Sequence, residues 1–196
     1  MASYSIPVGT CTTEIEVKRS RFIAYAAHTA GNKLAKAFIQ TLKEDYPDAR
    51  HHCYGFMAGS PWDSNQYGFS DDNEPSGTAG MPIFSHLKHN NIGEITIVVV
   101  RYFGGTKLGT GGLSRAYSDA AKSVLEKVTL KQYVETEQIS LIADFSQEAE
   151  IRRIVEASDG KIKSVEYSQT VKITVEIPKG IELKVPYSVT PSQSTI

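Results

Sequence analysis

Cysteine is nearly absent from this chain: Cys11 and Cys53 are its two thiols, far apart and in no C-x-x-C pair. That excludes a disulfide framework and a zinc knuckle, and it fits a reduced, cytoplasmic setting. Long apolar runs are missing too. Runs such as Ile97 to Val100 are far too short to span a bilayer, and the opening residues show no basic segment followed by an apolar one. Neither a membrane partner nor a secretory leader is expected. Internal repeats and low-complexity tracts are absent, and a net charge of −1 excludes any argument for a partner from bulk charge. What is present is the composition of an ordinary folded protein: 196 residues, 40% hydrophobic and 22% charged.

Two local absences are more telling. From His51 to Leu87 there is no Lys or Arg, only the acids Asp63, Asp71, Asp72 and Glu74. From Arg101 to Arg115 there is no acid. That second stretch holds Gly104, Gly105, Gly109, Gly111 and Gly112, five glycines in nine positions, with Arg101, Lys107 and Arg115 as its cations. The β-branched run Glu94 to Val100 before it reads as a buried strand, and Leu113 to Val128 after it reads as a helix. Strand, glycine loop and helix in that order can hold an anion, because glycine allows close approach and a helix start presents unpaired N–H groups. The loop nonetheless lacks the Gly-Lys-Ser/Thr of a P-loop and the sixth-position glycine of a dinucleotide fingerprint, so it reads as neither an ATP nor an NAD site. The competing reading is a tight strand-to-helix connection. Three clustered cations without counter-ions favour the anion, and Arg115, placed in the first helical turn, would oppose the helix dipole unless an anion offset it.

The remaining pattern is mixed α and β. Thr13 to Val17 and Phe22 to Ala27 predict a hairpin around Lys18-Arg19-Ser20-Arg21. Asn32 caps a helix with Leu34, Phe38 and Leu42 on its buried face, ending at Tyr46-Pro47. His51 to Ala58 predicts a third strand, Gly59 to Gly77 a long loop, and Gly80 to Leu87 a short helix with Pro82 in its first turn. Tyr133 to Phe145, a helix carrying Ile151, Ile154 and Val155 and closed by Gly160, then Ile162 to Tyr167 and Thr170 to Ile177 form a second β-α-β-β unit, joined around residues 129 to 134. The tail from Tyr187 is expected to be loose.

Asp71-Asp72-Asn73-Glu74-Pro75 admits several readings: a solvated turn, an N-cap for the next helix, carboxylates pairing with Arg101 or Arg115, or, with Ser76, Thr78 and His51, a support or metal set for Mg²⁺. The EF-hand pattern fails, since Pro75 and Ser76 stand where that motif needs ligand and glycine. On a strand, His51 and Cys53 share a face and His52 does not; no activating partner is identifiable, and no catalytic residue is assigned. Trp62, Tyr67 and Phe69 read as a satellite core or as a stacking surface for bases.

Four ordered motifs carry a family resemblance: Lys18-Arg19-Ser20-Arg21-Phe22-Ile23, Ala49-Arg50-His51-His52-Cys53-Tyr54, Ser70 to Ile83, and Val99 through Gly105 to Tyr117. In this order they resemble the IMPACT family, in its bacterial YigZ-like branch. The resemblance implies an α+β protein of two domains. Residues 1–131 would take the fold of the second domain of ribosomal protein S5, shared with domain four of elongation factor G and with small-molecule kinases that use a glycine-rich phosphate loop. Residues 132–196 would be a small ferredoxin-like domain similar to one of elongation factor G. Asn73 replaces a usual glycine, which a left-handed turn tolerates, and Met81 stands where a basic residue is common. Gly180 to Val189, with Pro186, reads poorly as the helix expected there. Eukaryotic members act in translational control through an additional domain, and that partner is not carried over.

These readings converge on a translation-associated regulatory protein that binds RNA or a ribosomal surface. Arg101, Lys107, Arg115, Lys18, Arg19 and Arg21, with the loop glycines, would contact phosphates without reading DNA or RNA sequence. One alternative is an enzyme acting on a phosphorylated small molecule, with Asp71, Asp72 or Glu74 binding Mg²⁺ or serving as base. Another is a protein partner in translational control, engaged through the Trp62 loop.

Overall fold

The computed structural model describes residues 3–88, 90–186 and 189–192. The chain divides into two compact units, Tyr4–Tyr133 and Val134–Ile196.

In the first unit the buried run forms a central strand, β6 (Ile95–Tyr102), in which every residue from Ile95 to Arg101 is buried. It lies between β3 (Ser20–His28) and β4 (His51–Met57), with β2 (Thr10–Val17) and β5 (Tyr67–Ser70) at the edges, all neighbours antiparallel. Alternation sends Val98 and Val100 toward α1 (Asn32–Asp45), while Ile97 and Val99 meet α2 (Gly80–Lys88) and α3 (Gly109–Leu125) on the other face. A sheet covered on both faces explains why β6 reads as a continuous apolar run.

Several expectations are corrected. The buried face of α1 is Ala35, Ile39 and Leu42, its N-cap is Gly31 rather than Asn32, and Leu34 is 53% exposed. Small Ala35 faces the sheet closely, and a pattern built on large residues overlooks it. The long loop contains a 3-10 turn at Ser64–Gln66 and then β5, whose Tyr67 and Phe69 pack against Phe84. Helix α3 starts at Gly109, so Gly109, Gly111 and Gly112 form its first turn and Arg115 falls in its second. Strand β1 (Tyr4–Pro7), unanticipated, pairs with β7 (Leu130–Tyr133), which occupies the segment expected only to join the two domains, while the strand expected from Tyr133 to Phe145 is found over Thr136–Ala143.

The second unit runs β8 (Thr136–Ala143), a 3-10 turn, α4 (Glu148–Ala157), β9 (Lys161–Tyr167), β10 (Val171–Pro178) and β11 (Thr190–Ser192). Asp144 forms a capping box with Gln147 ahead of α4. Its antiparallel sheet has the order β11-β8-β10-β9, the ferredoxin-like arrangement. Val171, Ile173, Val175 and Ile177 alternate into its core with Ile151 and Val155 of α4. Where that fold carries its second helix, residues 181–186 are irregular, and Ile181, Leu183 and Val185 pack on the core from alternate positions. Part of the expected loose tail, Tyr187, Ser188 and the last four positions, lies outside the described residues; within it, β11 is ordered by pairing with β8.

Candidate functional site

The glycine segment and the acidic segment meet in the first unit. Arg101 belongs to the end of β6 and not to the loop: it is 6% exposed, and its NH1 donates to Glu74 Oε1 at 2.6 Å. The Tyr117 hydroxyl, from α3, donates to the same oxygen at 2.8 Å, and Cys53 Sγ lies 3.3 Å from Tyr117 Oη and 3.0 Å from the Asp71 carbonyl. His51 Nδ1 donates to the Asp72 carbonyl at 2.9 Å, with its Nε2 3.9 Å from Glu74. The shared face expected for His51 and Cys53 thus carries a buried network centred on Glu74. Tyr117, Ser20 and Lys43 were not singled out as site residues, because each acts through contacts distant in sequence.

The acids have separate tasks. Asp71 accepts from the N–H groups of Gly77, Ala79 and Gly80 at 2.8 to 2.9 Å, and so caps the start of α2 from outside the helix. Burial pushes its carboxyl upward, but these three donors outweigh burial and hold it below the ordinary carboxylate value. Asp72 takes the Lys43 ammonium at 2.9 Å and the His52 N–H at 2.7 Å, and it too is held low against the opposing effect of burial. Asp72 and Asn73 both have left-handed backbones, φ 41° and 68°, as the departure at Asn73 allowed. The Thr78 hydroxyl donates to the Pro75 carbonyl at 2.6 Å and Ser76 is exposed. The carboxylates therefore spread among different partners, and no group of three or more His, Cys, Asp or Glu converges on a metal position among the described residues. Burial pushes the Cys53 thiol and the Tyr117 phenol well above their ordinary values, so neither is a nucleophile near neutral pH.

Magnitudes sort the cations. Freeing Arg101 for a phosphate would break a buried ion pair, at a cost of about 3–5 kcal/mol, more than the roughly 1.5–3 kcal/mol a charge-assisted hydrogen bond returns. Arg101, expected among the phosphate contacts, is thereby tied into the buried network with Glu74 rather than exposed. Arg21 is held by Glu14 at 2.8 and 3.0 Å, but that pair is exposed and screened by solvent, so it holds the guanidinium only weakly. Lys18, Arg19, Lys107 and Arg115 are exposed. Arg115 stands one turn beyond Gly111 on α3, away from the helix start.

The cationic turn is fixed to the glycine segment. Lys18 and Arg19 both occupy left-handed backbone, φ 48° and 65°, as a two-residue hairpin requires. Gly104 lies so close beneath them that a Cβ there would fall 2.0 Å from the Arg19 carbonyl carbon, and its N–H donates to Ser20 Oγ at 3.1 Å. Beyond it, α3 opens with no side-chain cap and no acid in its first turn. Glu74, Pro75, Arg101, Phe103, Lys107, Leu108 and the start of α3 line an open cavity of about 280 Å³.

Fold and site define a two-domain α+β protein whose S5-like domain sets a glycine-rich, cationic edge over a buried Arg-Glu-Tyr network. The Impact N-terminal domain model matches residues 18–125, and a domain of unknown function (DUF1949) matches residues 141–182. The protein named IMPACT family member YigZ from Escherichia coli K12 is 43% identical, over 91% of this chain and 87% of that protein. A Haemophilus influenzae IMPACT family member is 42% identical over 90% of this chain and 86% of its own length. YvyE of Bacillus subtilis is 35% identical over 81% and 72%. A crystal structure described only as that of a hypothetical protein superposes with TM-score 0.70 at 43% identity, covering 91% of this chain and 86% of the other. The chain belongs to the IMPACT family. No helix among the described residues is long and apolar enough to cross a membrane.

Proposed function

We propose that this chain is a cytoplasmic, translation-associated regulator that binds RNA or a ribosomal surface through phosphate contacts. One observation carries the reading: exposed Lys18 and Arg19 sit on a turn locked against Gly104, and exposed Lys107, three positions further along the chain, leads into an α3 start that has neither cap nor acid. Such a helix start leaves N–H groups and a partial positive charge for an anion, and flexible cations around it suit a polyanion whose sequence is not read. The fold that the domain shares with translation components supports the same reading.

Ribosome co-sedimentation and RNA filter binding across a salt series test it. The chain should bind less tightly as salt rises. Replacing Lys18, Arg19 and Lys107 together with Ala should flatten the log–log salt slope by about 2, at roughly 0.7 per contact to single-stranded phosphate. Binding by the triple variant with an unchanged slope would overturn the proposal.

A further inference from the structure

The cavity beside the cationic edge has walls that phosphate does not need. Pro75, Phe103, Leu108 and Leu113 line it, along with the stem of Lys107, while at its floor the charges of Arg101 and Glu74 neutralise each other. Phe103 is 55% exposed although it sits among glycines at the end of a buried strand. Its ring lies 5.8 Å from the Arg101 guanidinium carbon, which is also 5.4 Å from the Phe22 ring, so a fixed cation steadies one side of an aromatic that is otherwise open. Arg101 also has an unused donor: its buried Nε–H finds no acceptor among the described residues.

We infer that this cavity receives one unpaired nucleobase of a single-stranded RNA, stacked on Phe103, while Lys18, Arg19 and Lys107 hold the phosphates on either side. The inference rests on the phosphate-binding reading above and names the substrate class for that site. About 280 Å³ lies just under the usual range for drug-sized ligands and suits a single planar ring system. Charge selects the occupant: Lys107 lines the pocket, its one lining acid, Glu74, is already paired with Arg101, and the Lys18-Arg19 turn lies against Gly104, the residue next to Phe103, an arrangement that suits a chain of phosphates. A base flanked by phosphates presents an apolar face between two anions, and the site offers an aromatic surface between cations in return. A-form duplex, with its bases already stacked, cannot supply that face.

Exposed Trp62 and Phe69 and half-buried Tyr67 fit less well. Tyr67 and Phe69 pack on Phe84, and Trp62 sits edge-on to Tyr4, with no cation within ring-stacking distance of any of the three among the described residues. The stacking surface therefore lies at Phe103 and not in the Trp62 loop.

Binding of the full chain to a fluorescent uridine dodecamer is compared with binding to a dodecamer of the same ribose-phosphate backbone lacking bases. The wild type should prefer the uridine oligomer by about tenfold, the range of one stacked base. Phe103→Ala, at an exposed position, should abolish that preference while leaving affinity and salt slope for the abasic oligomer unchanged. Phe103→Trp in a Trp62→Phe background should restore the preference, with indole emission quenched by uridine and not by the abasic strand. A preference that survives Phe103→Ala, or an equal loss on both oligomers, overturns the stacking site. Should Lys18→Ala/Arg19→Ala/Lys107→Ala leave both oligomers bound as before, the phosphate reading falls while the Phe103 comparison still decides the stacking. If the wild type binds neither oligomer, the stacking site is overturned, and ribosome co-sedimentation alone decides the phosphate reading.

Discussion

Gly104 is the residue on which the cationic edge depends. Any Cβ there would collide at 2.0 and 2.1 Å with the carbonyl carbon and oxygen of Arg19, main-chain atoms that cannot rotate away. Gly105 provides the control, because its φ of 84° disfavours a side chain although nothing lies within 4 Å of its Cβ position. Gly104→Ala should lower stability by about 3 kcal/mol through overpacking, and Gly105→Ala by about 1–2 kcal/mol through backbone strain alone. Urea unfolding of the two variants checks the order, and equal losses would contradict the close approach. Residue types were legible from sequence here and residue roles were not. Lys18, Arg19 and Lys107 are exposed, as a phosphate contact needs, but Arg101 has the same charge and a different task. Only the tertiary structure places Glu74 beside it, across 27 positions of chain.

At the scale of elements, α3 presents the sharpest conflict between stability and use. Glycine in a helix costs about 0.5–1 kcal/mol relative to alanine, yet three of them stand in its first turn. At Gly111 a Cβ would meet nothing within 4 Å, so packing gives no reason for the glycine. Gly111→Ala should therefore raise the melting temperature while weakening RNA binding, because the added methyl obstructs approach to the helix start. Calorimetry and the filter assay measure the two, and a variant more stable with undiminished binding would remove the glycine from the site. Strands and helices with strong periodicity were readable: β2, β3, β4, β6 and β10 follow their patterns closely. Those that failed share a physical cause. β1, β5 and β7 are four residues each, too short to show a period, and become strands only because an antiparallel partner is waiting for their backbone groups. The strap at residues 181–186 does show period-two apolar spacing, at Ile181, Leu183 and Val185, which looking for a helix obscured.

For the whole molecule, each unit holds its own apolar core: two clusters flank the larger sheet and one lies beneath the smaller. A fragment ending at Tyr133 should fold cooperatively and, on the proposed function, bind RNA with the same salt sensitivity as the full chain. One ending at Val128 should lose β7, leave β1 with only its bridge to Ile92, uncover part of Tyr4 and Ile6, and unfold at lower urea. Burial of those two side chains corresponds to roughly 3–6 kcal/mol of apolar transfer. Circular dichroism during urea titration distinguishes the fragments, and equal midpoints would show that the ribbon contributes nothing.

That ribbon has a consequence for the order in which the chain acquires its structure. Tyr4 pairs with Tyr133, so one of the first segments to be synthesised waits for one of the last of its unit. Contacts so distant in sequence form late, because closing the intervening chain costs entropy before any pairing returns it. During synthesis the hairpin of β2 and β3 can close early, while β1 can bridge Ile92 first and gains its strand partner only when residue 133 has emerged. The newest part of the unit thereby seals its oldest.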